Sequence, residues 1–321
     1  MEVFYMKSNF RNTSLRFLAA LVAVLCLFAT SAFSVEFMTE VVPLERAGIK
    51  LHLQKLSRGD KRMKDPILFV HGLTYSSHEF DVNYGDYSLA RYFASNGYDV
   101  WTLDIAGYGS SQEVKNGFMP NSDYAAEDIA AAAKLILERT GRSKMDFLGW
   151  SWGTVTSGRF AAKYPEMVRK IVLYAPIVAG LLDAKVEVPF NKNTWLHAAG
   201  DFQVKEDGSI DYNIVEPAVA DTFLSNCWRY DKDSSPNGGR ADLLVSPEKR
   251  LIPTAKIKAP VLLIAGSKDQ YVTPELCQEA FATLQNKDSQ LEIIDGAAHA
   301  VMMEKPYYKA FREKILDFLQ K

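Results

Sequence analysis

The segment Gly149-Trp150-Ser151-Trp152-Gly153 follows the run KMDFL and precedes TVTSGRFAAK, which reads as a helix. A serine between two glycines at a strand-to-helix turn is the arrangement that lifts a hydroxyl above a sheet edge. The glycines answer a steric need, because side chains two residues to either side would collide across so tight a turn. The N-terminus of the following helix favours negative charge developing beside the serine. A serine hydroxyl is a poor nucleophile without a base. Of the five histidines, His52, His71, His78, His197 and His299, the last stands in DGAAHAVMMEKP, between the final predicted strand and the final predicted helix. A base placed there can reach Ser151. The base needs an acid that fixes its tautomer and stabilises its charged form. Asp269, in GSKDQYVTP directly after APVLLIA, is assigned that role. Asp183 competes for it, because it follows the strand predicted at 170–174. Asp295, although close to His299 in sequence, reads as a strand-end cap.

Acyl transfer also needs N–H donors for the developing oxyanion. The N–H of Trp152, next after the nucleophile, supplies one. The loop after PILFV opens with His71-Gly72-Leu73 and supplies the other from Leu73. His71 itself reads as a packing and hydrogen-bonding residue. No cluster of residues has metal-ligand spacing, and neither a dinucleotide fingerprint nor a phosphate loop occurs. The chemistry therefore calls for no metal and no cofactor.

The elements that must position these residues alternate. Residues 41–44 and 49–56 form an opening antiparallel pair, and 66–70 is a continuous apolar run, as in a strand buried on both faces. Further strands are predicted at 98–103, 144–149, 170–174, 259–265 and 291–294, and helices at 87–95, 122–140, 154–163, 274–284 and 306–319. Ser122 or Asp123 caps the 122–140 helix and Gly141 ends it. This rhythm predicts an α/β fold with a mostly parallel, doubly wound sheet. Residues 177–253 break the rhythm and are too long for an ordinary loop. They are read as an inserted helical cap over the strand ends, in which DKDSSPNGGR, 231–240, is an exposed loop. Most of the cap's aromatic residues should form its own small core. Trp195, Phe223 and Trp228 are candidates for the walls of a substrate pocket.

The chain has 321 residues, 48% hydrophobic and 24% charged, with a formal net charge of −2. That suffices for a large core and gives no electrostatic ground for a nucleic-acid partner. Lys7, Arg11 and Arg16 precede the apolar stretch 17–29, and small residues follow. This is the layout of a secretory signal peptide, with cleavage after Ser34. The mature domain would span 35–321, periplasmic or secreted, with no stable membrane span. An uncleaved N-terminal anchor is the rival reading, and Met6 is an alternative start. Cys26 would leave with the signal, so that Cys227 and Cys277 remain, and a disulfide between them stays open.

Together these residues resemble the α/β-hydrolase family. HGLTYSS is similar to its His-Gly oxyanion loop. Asp104-Ile105-Ala106-Gly107-Tyr108-Gly109-Ser110 is similar to its D-x-x-G-x-G-x-S turn, with Ser111 in the last place. The order Ser151, Asp269, His299 is the family's order. Its dehalogenases and epoxide hydrolases carry aspartate at the nucleophile position, so Ser151 argues against both. The resemblance implies a serine hydrolase that cleaves a small carboxylic ester through an acyl-enzyme. An aminopeptidase or amidase with the same triad is the alternative, because GWSWGT resembles the elbows of iminopeptidase-like members. It would need a cap carboxylate for a substrate amine, and Glu187, Glu206, Glu216 and Asp221 are available. A non-catalytic binding protein of the same fold is a third reading, disfavoured by the intact set of Ser, His and Asp.

Overall fold

The structure is a computed structural model that describes residues 36–59 and 65–321, so the signal peptide expected over 1–34 lies outside the described residues. β1 (Phe37–Arg46) and β2 (Ile49–Arg58) form an antiparallel hairpin. Its two-residue turn, Ala47-Gly48, has φ of 50° and 77°, the backbone that matches the twist of the flanking strands. β2 pairs antiparallel with β4 (Asp99–Asp104). β4 then runs parallel with β3 (Pro66–Val70), and β3 with β5 (Met145–Trp150). β6 (Val168–Tyr174), β9 (Val261–Gly266) and β10 (Gln290–Ile294) continue the parallel run. The order across the eight strands is β1-β2-β4-β3-β5-β6-β9-β10.

Every residue of β3, β4, β5 and β9 is buried, which is why PILFV and APVLLIA carry no alternation. Alternate side chains feed two cores. Leu68, Val70, Phe147, Ile171 and Leu263 pack with α2 (Ser122–Thr140) and α3 (Trp152–Lys163). Phe69, Leu148, Val172 and Ile264 pack with α1 (Leu89–Ser95) and α8 (Tyr308–Gln320). The cap of α2 lies one residue before the first expected one: Asn121 accepts from the Tyr124 N–H at 2.9 Å. That frees Ser122, whose hydroxyl accepts from the Trp152 indole at 2.9 Å. Gly141 ends the helix at φ 66°. Among the described residues no helix is long and apolar enough to cross a membrane. Cys227 and Cys277 are both buried and free, which closes the disulfide question in favour of two separate thiols.

Between β6 and β9 the chain forms the insertion. It holds α4 (Trp195–Ala199), α5 (Pro217–Asp231) and α6 (Gly238–Leu243). It also holds an antiparallel ribbon of β7 (Phe190–Lys192) and β8 (Ser234–Pro236), so the insertion is not purely helical. The expectation of an exposed loop over 231–240 is corrected. Asp231 and Ser235 to Gly239 are buried, and only Lys232 to Ser234 face solvent. The glycines here serve close approach rather than turning. A Cβ on Gly238 would lie 2.7 Å from Pro120 O, and one on Gly239 would lie 2.5 Å from the Trp152 ring and 2.9 Å from Leu73 Cδ1. Asp231, at the end of α5, adds a polar tie: its carboxylate accepts from Ser76 N and Oγ and from Gly109 N, each at 2.9 Å. Burial pushes this carboxyl up to about 7 against those hydrogen bonds. The cap is thus clamped to the loop after β3 and to the glycine turn after β4.

The glycine contacts give a stability test. A Cβ on Gly153 would lie 2.7 Å from His71 O and closer still to Val70 O, both backbone atoms that cannot yield. Gly48 has positive φ, but nothing lies within 4 Å of its added Cβ. Urea unfolding should show Gly153→Ala losing about 3 kcal/mol, and Gly48→Ala only the left-handed penalty of about 1–2 kcal/mol. Equal losses would mean that β3 does not press on the elbow.

Candidate active site

Ser151 sits between β5 and α3 with φ 55° and ψ −120°. A non-glycine residue held there costs on the order of 1–3 kcal/mol, so the surroundings must impose it. Its N–H donates to Tyr174 O at 3.0 Å, and its carbonyl accepts from Thr154 N at 2.9 Å and Thr154 Oγ1 at 2.6 Å. The flanking glycines are sterically required: a Cβ on Gly149 would lie 2.5 Å from the Ser157 hydroxyl and would overlap Gly153 O. Trp152 is the first residue of α3, so its N–H is one of the donors that a helix start leaves without an intrahelical partner. The Leu73 N–H likewise donates to no backbone or side-chain acceptor among the described residues. The loop that carries it passes close to the serine, since a Cβ on Gly72 would touch Ser151 Cβ at 3.4 Å.

His299 and Asp269 come from loops at the ends of β10 and β9. A Cβ on Gly266 would lie 2.7 Å from Ala298 O, so this glycine lets the two loops meet. Imidazole Nδ1 is 2.8 Å from Asp269 Oδ2, with both side chains buried. The other carboxylate oxygen accepts from Tyr271 N at 2.8 Å and Val272 N at 3.2 Å, which fixes the acid's orientation. Burial alone would lower the His299 pKa, but the charge and hydrogen bond of Asp269 outweigh it and hold the imidazole above its ordinary value. The His299 carbonyl accepts from Trp150 Nε1 at 3.2 Å and Tyr174 Oη at 2.7 Å. His299 is therefore tied to the strand that leads into Ser151. Glu304, fully buried, accepts from Ala298 N at 3.2 and 3.1 Å and steadies the same loop from behind. Asp183, the rival acid, is exposed. Asp295 accepts from the Ser267 hydroxyl at 3.0 Å, on the strand-end side.

Several supporting residues escape a reading of the sequence. Glu79, buried, accepts from Gly72 N at 2.7 Å and so holds the loop that carries Leu73. Its only sequence signal is an acid standing in an aromatic stretch after the His-Gly pair. His71 accepts from Ile105 N through Nε2 at 3.1 Å and lies 2.8 Å from Gly72 O through Nδ1. Burial lowers its pKa, so the neutral form spans two loops. Asp104 accepts from Ser77 N at 3.0 Å and Ser110 N at 2.9 Å, which joins the oxyanion loop to the glycine turn.

Ser151 opens into a cavity of about 160 Å³. The body contributes Leu73, Thr74, Tyr75 and Tyr271 to its walls, and the insertion contributes Leu181, His197, Asp201, Arg240, Leu243 and Leu244. The three aromatic residues expected as walls lie elsewhere. Trp195 and Trp228 stack on each other with ring centroids 5.1 Å apart, and Trp195 is 48% exposed. Phe223 is fully buried against Tyr75 and Phe202. Two of the three form cap surface and the third forms cap core. None of the four cap acids considered for a substrate amine lines the cavity, and Glu216 is taken up by the Tyr87 hydroxyl at 2.8 Å. The acid that does line it is Asp201, whose carboxyl burial raises to about 6. Among the described residues no group of three or more His, Cys, Asp and Glu could hold a metal ion.

Residues 61–306 match the family described as "Serine aminopeptidase, S33". A Caenorhabditis elegans lipase, lipl-3, is 28% identical over 56% of this chain and 46% of its own. An uncharacterized carboxylesterase of Bacillus subtilis is 22% identical over 79% of this chain and 78% of its own. The chain thus spans about half the length, or less, of several curated relatives that it matches. The crystal structure of a Paleococcus ferrophilus monoacylglycerol lipase superposes with a TM-score of 0.61 at 20% identity, over 84% of this chain and 98% of that one. That likeness speaks to fold. With the family match covering most of the sequence, the chain belongs to the S33 serine aminopeptidase family of α/β-hydrolases.

Proposed function

We propose that the protein hydrolyses small carboxylic esters through an acyl-enzyme, with Ser151 as nucleophile, His299 as base and Asp269 as the acid that orients it. The observation that carries this reading is Ser151, strained at φ 55° and facing a cavity of about 160 Å³, with the buried His299–Asp269 pair tied through the His299 carbonyl to Trp150, the residue before it. Ser151 Oγ attacks the ester carbonyl carbon as its proton passes to His299 Nε2. The oxyanion is held by the N–H groups of Leu73 and Trp152. The C–O bond breaks as His299 returns the proton to the departing alcohol. Water, deprotonated by His299, then cleaves the acyl-serine, and the proton returns to Ser151. Throughout, Asp269 accepts from Nδ1–H and stabilises the imidazolium. A cavity near 150 Å³ accommodates a benzene-sized guest, which favours short acyl groups over lipid chains.

A second reading, cleavage of an amide or aminoacyl bond, draws support from Asp201, the carboxylate in the cavity wall, and from the name of the family. A panel of p-nitrophenyl esters and aminoacyl anilides separates the two. We expect esters to be turned over, with kcat/KM peaking at short acyl chains and falling beyond about six carbons as the cavity fills. Faster cleavage of the anilides would transfer the assignment to the amine-recognising reading.

The raised His299 pKa sets the pH dependence. Catalysis needs neutral imidazole, so ester hydrolysis should rise with pH through an ionisation above the ordinary value of about 6.5. Asp269→Asn should move that limb to lower pH and reduce turnover by about 10⁴-fold, the scale of a wrong-tautomer histidine. An unmoved limb in the variant would remove Asp269 from the mechanism.

Export remains part of this proposal, on the basic-then-apolar composition of 1–34 alone. Intact mass of the protein from its native host should place the mature N-terminus near Val35. A chain that retains residues 17–29 would support the anchor instead.

A further inference from the structure

Arg240 lines the cavity that holds Ser151 and, among the described residues, pairs with no carboxylate there. Its guanidinium donates to Thr74 Oγ1 at 2.9 Å and to Asn237 Oδ1 at 2.5 Å, both neutral, and among the described residues it forms no ion pair. A guanidinium has five N–H donors in a planar fork that matches a carboxylate, and these two bonds leave the others unmatched. Keeping such a charge partly out of water without an anion is costly, and burial lowers its pKa. The side chain lines the cavity, and Gly239 just before it lets α6 approach the Trp152 ring and the Leu73 side chain. The bond to Thr74, the residue after Leu73, holds the guanidinium against the oxyanion loop.

The cavity's other charged wall residue gives the direction. Asp201 follows Gly200, whose carbonyl accepts from Gln270 Nε2 at 2.7 Å next to Asp269, whereas Arg240 is bonded to Thr74, next to Leu73 in the oxyanion loop. In the mechanism above the leaving alcohol departs toward His299, where Asp201 repels an anion. The acyl end is left to Arg240. We propose that Arg240 binds a carboxylate on the acyl portion of the substrate, so that the preferred substrates are short half-esters of dicarboxylic acids. This rests on the ester-hydrolase reading and narrows it to a substrate class. Thr74 follows Leu73 and is held at φ 87°, a region that a β-branched residue rarely adopts. The same guanidinium therefore also steadies the oxyanion loop, and the test must separate the two roles.

Hydrolysis of monomethyl succinate and monomethyl glutarate is measured by pH-stat against the dimethyl esters, at a pH where the free acids are ionised. The wild-type enzyme should favour the half-esters in kcat/KM by at least about tenfold. In Arg240→Gln the ratio of half-ester to diester kcat/KM should fall by about 10- to 100-fold, chiefly through KM, the scale of a lost charge-assisted pair. Arg240→Lys, which keeps the charge, should recover part of the ratio. A wild-type preference for diesters, or a ratio unchanged in folded Arg240→Gln, would overturn the proposal and leave Arg240 as a tether for Thr74. Turnover of diesters without half-ester preference would sink this inference alone. Turnover of neither, with no acylation of Ser151, would sink the ester-hydrolase reading with it.

Discussion

The backbone of Ser151 is held where serine does not go unaided, and the rest of the site depends on that conformation. At φ 55° the hydroxyl leaves the sheet edge while α3 begins at the next residue. Nothing within the pentapeptide enforces this. Enforcement comes from neighbours: β6 through Tyr174 O, the Thr154 side chain, and the close approach of β3 that only a glycine at 153 allows. A helix start with free N–H groups then lies beside the nucleophile as a geometric consequence of the turn. The strain and the electrostatics are two aspects of one backbone path.

The base is positioned by the same strands. Trp150 Nε1 and Tyr174 Oη both donate to the His299 carbonyl, so the residue before Ser151 holds the loop that carries the proposed base. This gives Trp150 a structural reason that does not involve substrate. Trp152 is equally committed, with its indole on Ser122 and its ring under Gly239.

Much of this was legible from sequence wherever the signal was local. PILFV, KMDFL and APVLLIA are buried strands, and the loops that follow them carry His71-Gly72-Leu73, Ser151 and Asp269. An apolar run followed by glycine-containing polar residues marks a sheet edge without reference to anything distant. The insertion was visible only as a break in rhythm, and its contents were not. Trp195, Phe223 and Trp228 are large apolar residues in a cap, and nothing local tells a pocket wall from a stacked surface pair or a core residue. DKDSSPNGGR misled for a physical reason: glycine permits a solvated turn and a close backbone approach equally, and here Gly238 and Gly239 do the second. Arg240 acts through a partner far along the chain and Asp201 through the walls of a shared cavity, so their roles become visible only when the fold joins them, and Glu79 reveals its role only when the loop closes back on Gly72.

The central claim is covalent: an acyl group passes through Ser151 Oγ. Its most direct test is to mix the enzyme with p-nitrophenyl acetate at mildly acidic pH, where protonated His299 slows deacylation, quench rapidly in acid and map the peptides by mass spectrometry. The account predicts an acetyl adduct on Ser151, formed at the rate of the p-nitrophenol burst and lost when the enzyme is returned to neutral pH. Ester turnover with no adduct on Ser151 under any quench, or an adduct that forms more slowly than turnover, would contradict it.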